Sequence, residues 1–406
     1  MMPHILPAFS GRRAASGISL EQALVLFCSH PEPDADRIES ANALLGGKVD
    51  WPLLHAVSIE HKVFPIVYSN LSRFFPGLIP GEVSGEFRKA FLRISAANHL
   101  REMELAAILD SLERVNITVV PFKGPLLTRE LFGDSNLRTY VDLDLLVAKG
   151  DLRPSIMELM AMDFRFDIDL DPEQYLHLAA AGHHANLVRG ELPTMVEVHW
   201  EMTGRYLSQK MGLEDVAPRL RKVRFLEREV LSLSPEDLLI YLSIHGNRMG
   251  WAQLDSILCV AALLRKEKNI DWNFVREEAG RYGALKMVLL GCLLARELYG
   301  VDLESNIAGQ IDGNRTLRNT GEEVIKHLFP DTKEMMRRQS YWQKLTYHWK
   351  MLDKAADRIR FCFTPVFRPT HSDWMWLPLP ARFSWLYLFL RPLRLIGKYA
   401  WKILGR

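Results

Sequence analysis

Asp142 and Asp144 stand two residues apart in the run Arg138-Thr-Tyr-Val-Asp-Leu-Asp-Leu-Leu-Val147. The run reads as a strand over Tyr140 to Val147, and in a strand residues i and i+2 share a face. The two carboxylates therefore point one way, while Val141, Leu143 and Leu145 point the other, into a core. Two acids on one sheet face are costly unless solvent or a cation compensates them. Mg²⁺ is the natural cation, since it takes hard oxygen ligands and keeps positions open for phosphates. The plainer alternative is a solvated acidic pair on an edge strand.

The surroundings favour the metal. Gly124 lies 20 residues before Asp144, at a predicted strand-to-helix turn where backbone N–H groups and a positive helix end can meet a phosphate. Lys123 and Arg138 add two cations for a triphosphate, the arginine with bidentate geometry. Paired aspartates also serve metal-dependent glycosyltransferases, where they end an apolar strand. Here Leu145-Leu146-Val147 follow the pair, which favours nucleotidyl transfer.

These residues need a scaffold. Residues 19–116 read as helical: Leu105, Ile108, Leu109 and Leu112 recur on one helical face. Phe75-Pro76-Gly77 and Ile79-Pro80-Gly81 break the helices upstream. Ile117 to Val120 is a short β-branched strand limited by Pro121. Gly124-Pro125 opens a helix, and Asp151 caps another that runs to about Met162. Asn186 to Arg189 and Met195 to Trp200 form two strands about a turn at Gly190. Val223 to Leu233 adds further β structure. Ser234-Pro235-Glu236-Asp237 then starts a helical region reaching about residue 360. The expected class is α+β: a small mixed sheet at 116–233, helical regions at 1–115 and 234–360, and a distinct tail at 361–406.

Composition narrows the function. The chain has 406 residues, 48% hydrophobic and 25% charged, enough for two or three packed domains. Lys plus Arg number 51 against 49 Asp plus Glu, so bulk charge does not recruit a polyanion and nucleic acid is not an expected partner. Cys28, Cys259, Cys292 and Cys362 contain no CxxC pair. That excludes a zinc ribbon, a thioredoxin-type motif and a disulfide scaffold. Residues 1–17 lack the apolar core of a secretory signal. The longest apolar candidate, Phe383 to Leu390, is far short of the ~18 residues of a membrane span. A cytoplasmic protein is expected.

Other residues carry weaker signals. His183-His184 invite a metal reading, but no further ligand stands at a familiar spacing, so zinc is not expected. His199 is either a site residue or a core histidine capped by a carbonyl. His245 reads as structural, with Asp255 either its partner or a residue of helix packing. Trp200, Trp251 and Trp272 read as core or interdomain anchors. Residues 381–406 hold Arg382, Arg391, Arg394, Lys398, Lys402 and Arg406 and no acid. Leu393, Ile396, Ala400, Ile403 and Leu404 fall on one helical face, Arg391, Arg394, Lys398 and Lys402 on the other. The tail thus either lies on an anionic membrane, at the inner face of the cell membrane, or packs its apolar face on the protein.

Together these pieces resemble a bacterial family of uncharacterised nucleotidyltransferases within the DNA-polymerase-beta-type superfamily. The resemblance rests on the Lys123-Gly124 turn, Leu131-Phe132, Arg138, Asp142-Leu-Asp144-Leu-Leu-Val, Val196-Glu197-Val198-His199-Trp200, His245 and Trp251 to Asp255. Trp51 and His61 upstream and Tyr387 and Arg391-Pro392 in the tail also fit. It implies three carboxylates holding two Mg²⁺, with Asp142 and Asp144 the first two and Glu197 the third. Lys123, Gly124 and Arg138 would bind the nucleotide, and His184 and His199 would contact substrate. The implied reaction moves an NMP group from an NTP, by default ATP, to an acceptor hydroxyl of a glycan or natural-product intermediate. The turn Lys123-Gly124-Pro125 departs from the superfamily, which carries Gly-Ser there. The alternative is therefore a catalytically inactive scaffold or binding protein of the same fold at the membrane surface.

Overall fold

The computed structural model describes residues 18–168, 175, 182–190, 194–203, 210–330, 341–377, 379 and 381–404. Residues 1–17 and Arg406 lie outside this set. Five helices come first: α1 (Leu20–Cys28), α2 (Ala35–Leu45), α3 (Trp51–Glu60), α4 (Phe64–Phe74) and α5 (Gly81–Arg114). Their starts are written in the sequence. Ser19 and Gln22 form a reciprocal capping box on α1, and the side chains of Asp34 and Asp50 cap α2 and α3. The Pro-Gly pairs separate α4 from α5 as the sequence predicts.

The sheet follows: β1 (Val119–Pro121), α6 (Gly124–Phe132), β2 (Asp142–Val147), α7 (Leu152–Ala161), β3 (Arg165–Phe166), β4 (His184–Arg189) and β5 (Thr194–His199). Its order is β1-β2-β5-β4-β3. β2 and β5 run parallel and the other pairs antiparallel, so the fold is α+β with a small mixed sheet. Pro121 is tolerated because β1 is an edge strand with no second ladder to supply.

Period-two alternation gives the sheet two different faces. Val119, Leu143, Leu145, Val147, Ala185, Leu187, Val196 and Val198 pack on α5 and α7, where Leu105, Ile108, Leu109, Leu112, Ile156 and Leu159 meet them. Val120, Phe122 and Leu146 enter a second core on the opposite face. Asp144, Glu197 and His199 belong to that opposite face. Val141 corrects the sequence reading: it is 59% exposed, because pairing begins at Asp142 and leaves it outside the strand. Asp151 occupies the N-cap position of α7 without a side-chain cap; its carbonyl instead accepts from the Ser155 hydroxyl at 2.7 Å.

The second core joins the two ends of the chain. A short helix α8 (Leu213–Val216) and the hairpin β6 (Arg221–Phe225) and β7 (Arg228–Ser232) lead to α9 (Pro235–Arg248), α10 (Leu254–Lys266), α11 (Trp272–Tyr282), α12 (Leu285–Tyr299), α13 (Ser305–Gly313) and α14 (Arg315–Leu328). Ser234 caps α9 through the Asp237 N–H. Leu24, Leu54 and Phe64 of the first helices share one core with Leu239, Leu258 and Leu290. Ser29 Oγ and Tyr299 Oη are 3.2 Å apart, and Asn70 donates to the carbonyls of Cys28 and His30. At the centre, fully buried Trp251 has φ +52° and lies over Gly246. The three anchors expected from sequence divide: Trp200 and Trp251 are buried, while Trp272 is only partly buried against the core.

α15 (Tyr341–Met351) and α16 (Ala355–Phe367) lead into the tail, which carries α17 (His371–Trp376) and α18 (Tyr387–Leu404). Its described part does not seat the apolar face on the protein. Arg391 turns inward to Asp373, Thr370 and the Pro365 carbonyl, and Arg394 pairs with Asp373 at 2.9 Å. Leu393 and Ile396 are each 65% exposed. Two guanidinium groups paired with the buried Asp373 carboxylate outcompete the apolar stripe for the protein side.

A Cβ on Gly246 would sit 2.3 Å from the Trp251 ring. Gly246→Ala is expected to destabilise the chain by about 1–3 kcal/mol through overpacking. Gly280→Ala, with open space around it in α11, should instead gain about 0.5–1 kcal/mol. Urea midpoints of the two variants measure the contrast.

Candidate active site

The site grows from the β1–α6 turn. Lys123 is extended, and Gly124 starts α6 with φ +58°. A Cβ on Gly124 would also press the Asp142 carbonyl at 3.1 Å. Positive φ and close approach both call for glycine there. The turn delivers Lys123 to Asp144, with Nζ 2.6 Å from Oδ1. The parallel register sets Asp144 opposite Glu197, and the antiparallel one sets His184 opposite His199. His199 Nε2 reaches Asp144 Oδ1 at 3.0 Å and Glu197 Oε2 at 3.1 Å. One imidazole thus ties the two carboxylates together.

The electrostatics follow from this geometry. Burial alone would raise the Asp144 carboxyl, but the Lys123 charge and the His199 hydrogen bond hold it below the usual carboxylate range. Glu197 behaves alike: burial raises it, and the hydrogen bond from His199 brings it net downward. Burial lowers His199, and its bonds to Asp144 and Glu197 more than restore it, so it lies above the usual imidazole value. Lys123 is likewise raised, its burial outweighed by Asp144. Asp142 is different. Burial and then the neighbouring Asp144 charge push it upward. It is half-buried at the start of β2 and stands outside the tight group formed by Asp144, Glu197 and His199, whose ligand atoms lie within 4.8 Å of one another.

Arg138 requires a correction. Its guanidinium makes a bidentate pair with Asp255, both bonds 2.7 Å, and a third contact to Thr128 at 3.3 Å. Asn98 holds the Arg138 carbonyl at 2.8 Å. Arg138 therefore fastens the loop before β2 to α10 rather than offering its fork to phosphates. Asp255 accordingly serves Arg138, not His245.

Tyr241 and Arg248, not singled out in the sequence, border the site together with His245, which the sequence reads as structural. Tyr241 packs its ring 5.1 Å from Phe122, with the Lys123 ammonium 5.9 Å from its centroid. Burial pushes its hydroxyl up to about 12. His245, one turn along α9, lies 5.9 Å from the Tyr241 ring and is held well below the usual imidazole value by burial and then by Lys123. Arg248, at the end of that helix, lies within electrostatic reach of His183, His184, Tyr241 and His245. It forms no carboxylate pair among the described residues. His183, set aside in the sequence, lies 5.7 Å from His199 between ring centroids. The i, i+4 spacing of Tyr241 and His245 was a legible signal; Arg248 offered none.

The two aspartates have opposite stability consequences. The low Asp144 value means its ionised form favours the fold: that contribution is present above the ordinary carboxylate range and lost as pH falls through the folded value. The raised Asp142 value means its ionisation costs stability as pH rises through its folded value. At neutral pH, Asp144→Asn should therefore lower the melting temperature, and Asp142→Asn should raise it. Arg138→Ala should cost about 3–5 kcal/mol by leaving Asp255 unpaired. Melting curves at neutral and acid pH check the signs.

The match to the family described as "Uncharacterised nucleotidyltransferase" covers residues 47–300. That span contains every residue named in this site. No curated protein and no solved structure matches the chain. With most of its length matched, and with a Lys-Gly turn, paired strand aspartates and a glutamate on the adjacent strand, the chain belongs to the uncharacterised nucleotidyltransferase family.

Proposed function

We propose that the chain is a Mg²⁺-dependent nucleotidyltransferase that moves an NMP group from an NTP to an acceptor hydroxyl. The observation that carries this reading is the state of Asp144. Its Oδ1 is taken by Lys123 and His199, while its Oδ2 is buried without a hydrogen-bond partner among the described residues. A buried orphan carboxylate oxygen is costly, and a hard cation is the partner that fits it. Asp142, Asp144 and Glu197 supply the oxygen donors Mg²⁺ prefers. When bound, the metal would neutralise phosphate charge and acidify the acceptor hydroxyl.

The chain's own groups do the rest. Lys123 keeps Asp144 ionised and offers its remaining N–H donors to phosphate. The N-terminus of α6 adds backbone donors at Gly124. Arg248 takes the phosphate-facing role that Arg138 cannot fill. Arg138 instead positions β2 through Asp255. Glu197, held ionised by His199, accepts the acceptor's proton as the acceptor oxygen bonds to the α-phosphorus. The bond to the bridging oxygen breaks, and pyrophosphate leaves. His184 borders the acceptor side. ATP is the first nucleotide to try.

A Mg²⁺-dependent rise in melting temperature with an NTP, lost in Asp142→Asn, is the expected result. Pyrophosphate release with a competent acceptor should fall by at least about 10²-fold in the same variant. Unchanged nucleotide binding in Asp142→Asn and Asp144→Asn would overturn the site.

A second reading concerns the tail and stands with either an active or a silent site. Phe389, Leu393 and Ile396 are exposed at 64%, 65% and 65%, with Trp385, Phe363 and Met375 also exposed nearby in the chain. No described helix is long and apolar enough to cross a membrane, so the tail would lie at the interface. Arg391 and Arg394 are committed to Asp373, which leaves apolar insertion rather than charge to dominate. The intact chain should float with liposomes with little salt dependence, and Leu393→Asp with Ile396→Asp should abolish flotation. If the intact protein stays with the soluble fraction, the membrane reading fails.

A further inference from the structure

His183 and His184 lack a third metal ligand in the sequence, and the sheet supplies one. The register of β4 against β5 sets His184 directly across from His199. His183, one residue earlier, joins them, and Trp200 N–H donates to the His183 carbonyl at 3.2 Å, tying that corner to the end of β5. Ring centroids are 4.4 Å apart for His183–His184, 4.9 Å for His184–His199 and 5.7 Å for His183–His199. Each ring offers a nitrogen such that all three lie within 4.8 Å of one another.

The hydrogen bonding of these rings points to a missing partner. His199 spends Nε2 on Asp144 and Glu197, and its Nδ1 is buried with no hydrogen-bond partner among the described residues. His184 Nδ1 is in the same condition. Orphaned nitrogens on the adjacent rings of half-buried His184 and buried His199 call for an occupant. A metal-bound histidine commonly donates its second ring N–H to a carboxylate, which fixes the ring and raises ligand basicity. His199 already has that second half in place.

We propose that His183, His184 and His199 form a nitrogen-donor site for a borderline divalent cation of the zinc class, adjoining the carboxylate pocket and sharing His199 with it. Imidazole donors select such cations, while the carboxylates beside them suit Mg²⁺. Three protein ligands would leave a tetrahedral ion one open position. The site does not depend on nucleotidyl transfer. A chain that bound no nucleotide would still hold this ion.

The test uses the full-length protein stripped with a chelator and titrated with Co²⁺, with Zn²⁺ as competitor. The expected result is one equivalent with the intense visible d–d absorption of a tetrahedral ion, displaced by Zn²⁺. His183→Ala should weaken Co²⁺ affinity by at least about tenfold, whereas Asp142→Asn should leave it within about twofold. The same Asp142→Asn sample reports separately on Mg²⁺–nucleotide binding, so failure of one reading is distinguishable from failure of the other. X-ray absorption on the Zn²⁺-loaded wild type reads the ligands without any variant, and three imidazole nitrogens are expected. An oxygen-only shell, or Co²⁺ affinity unchanged in a cooperatively melting His183→Ala protein, would overturn the proposal.

Discussion

Asp144 is a carboxylate with 1% of its surface exposed, and the arrangement of the site follows from compensating its charge. Unpaired burial of such a group would be prohibitive. Lys123 and His199 meet it from two directions, one delivered by a glycine turn and the other by a parallel strand. Each compensating group needs its own support. Lys123 depends on Gly124 taking a left-handed conformation under the Asp142 carbonyl. His199 depends on the β2–β5 register, since a shift by one residue would turn it and Glu197 into the apolar face.

The sheet can carry this polar cluster because its two faces differ. One face is filled by aliphatic residues against α5 and α7, which fixes the strands. The other is apolar at Val120, Phe122 and Leu146 and polar where the strands carry Asp144, Glu197 and His199. Helices from both ends of the chain close over that second face. Arg138 and Asp255 lie on this seam, 117 residues apart in sequence. Their bidentate pair couples the loop before the aspartates to α10, so the position of β2 depends on helices far along the chain.

Asp142 and Asp144 show a division between stability and function. Asp144 is stabilised as an anion; Asp142 is held against burial and against its neighbour's charge. A residue kept where its ionisation opposes folding is what a site for a cation would need. The tail shows a similar tension at a surface. Asp373 draws Arg391 and Arg394 inward and leaves Leu393 and Ile396 outside. Helical periodicity separates apolar from basic residues along this helix but does not say which neighbour each face meets.

By itself the sequence determined the elements and the residues that must share a face. Capping side chains at Ser19, Asp34, Asp50 and Ser234 set helix starts, Pro-Gly pairs set breaks, and period two placed Glu197 with His199. These are local rules, carried by neighbours within a few residues. Tertiary structure alone decided the partners. Arg138 was read as a phosphate ligand because nothing near it in sequence reveals Asp255. Val141 was read as core because strand pattern does not say where pairing begins. His183 and His184 were set aside because His199 becomes a third neighbour only through strand register. Arg248 was invisible because its position near the site depends on how α9 packs beneath the sheet. Local chemistry is encoded in adjacent residues, whereas the identity of a buried charge's partner depends on which distant segment the hydrophobic cores bring against it.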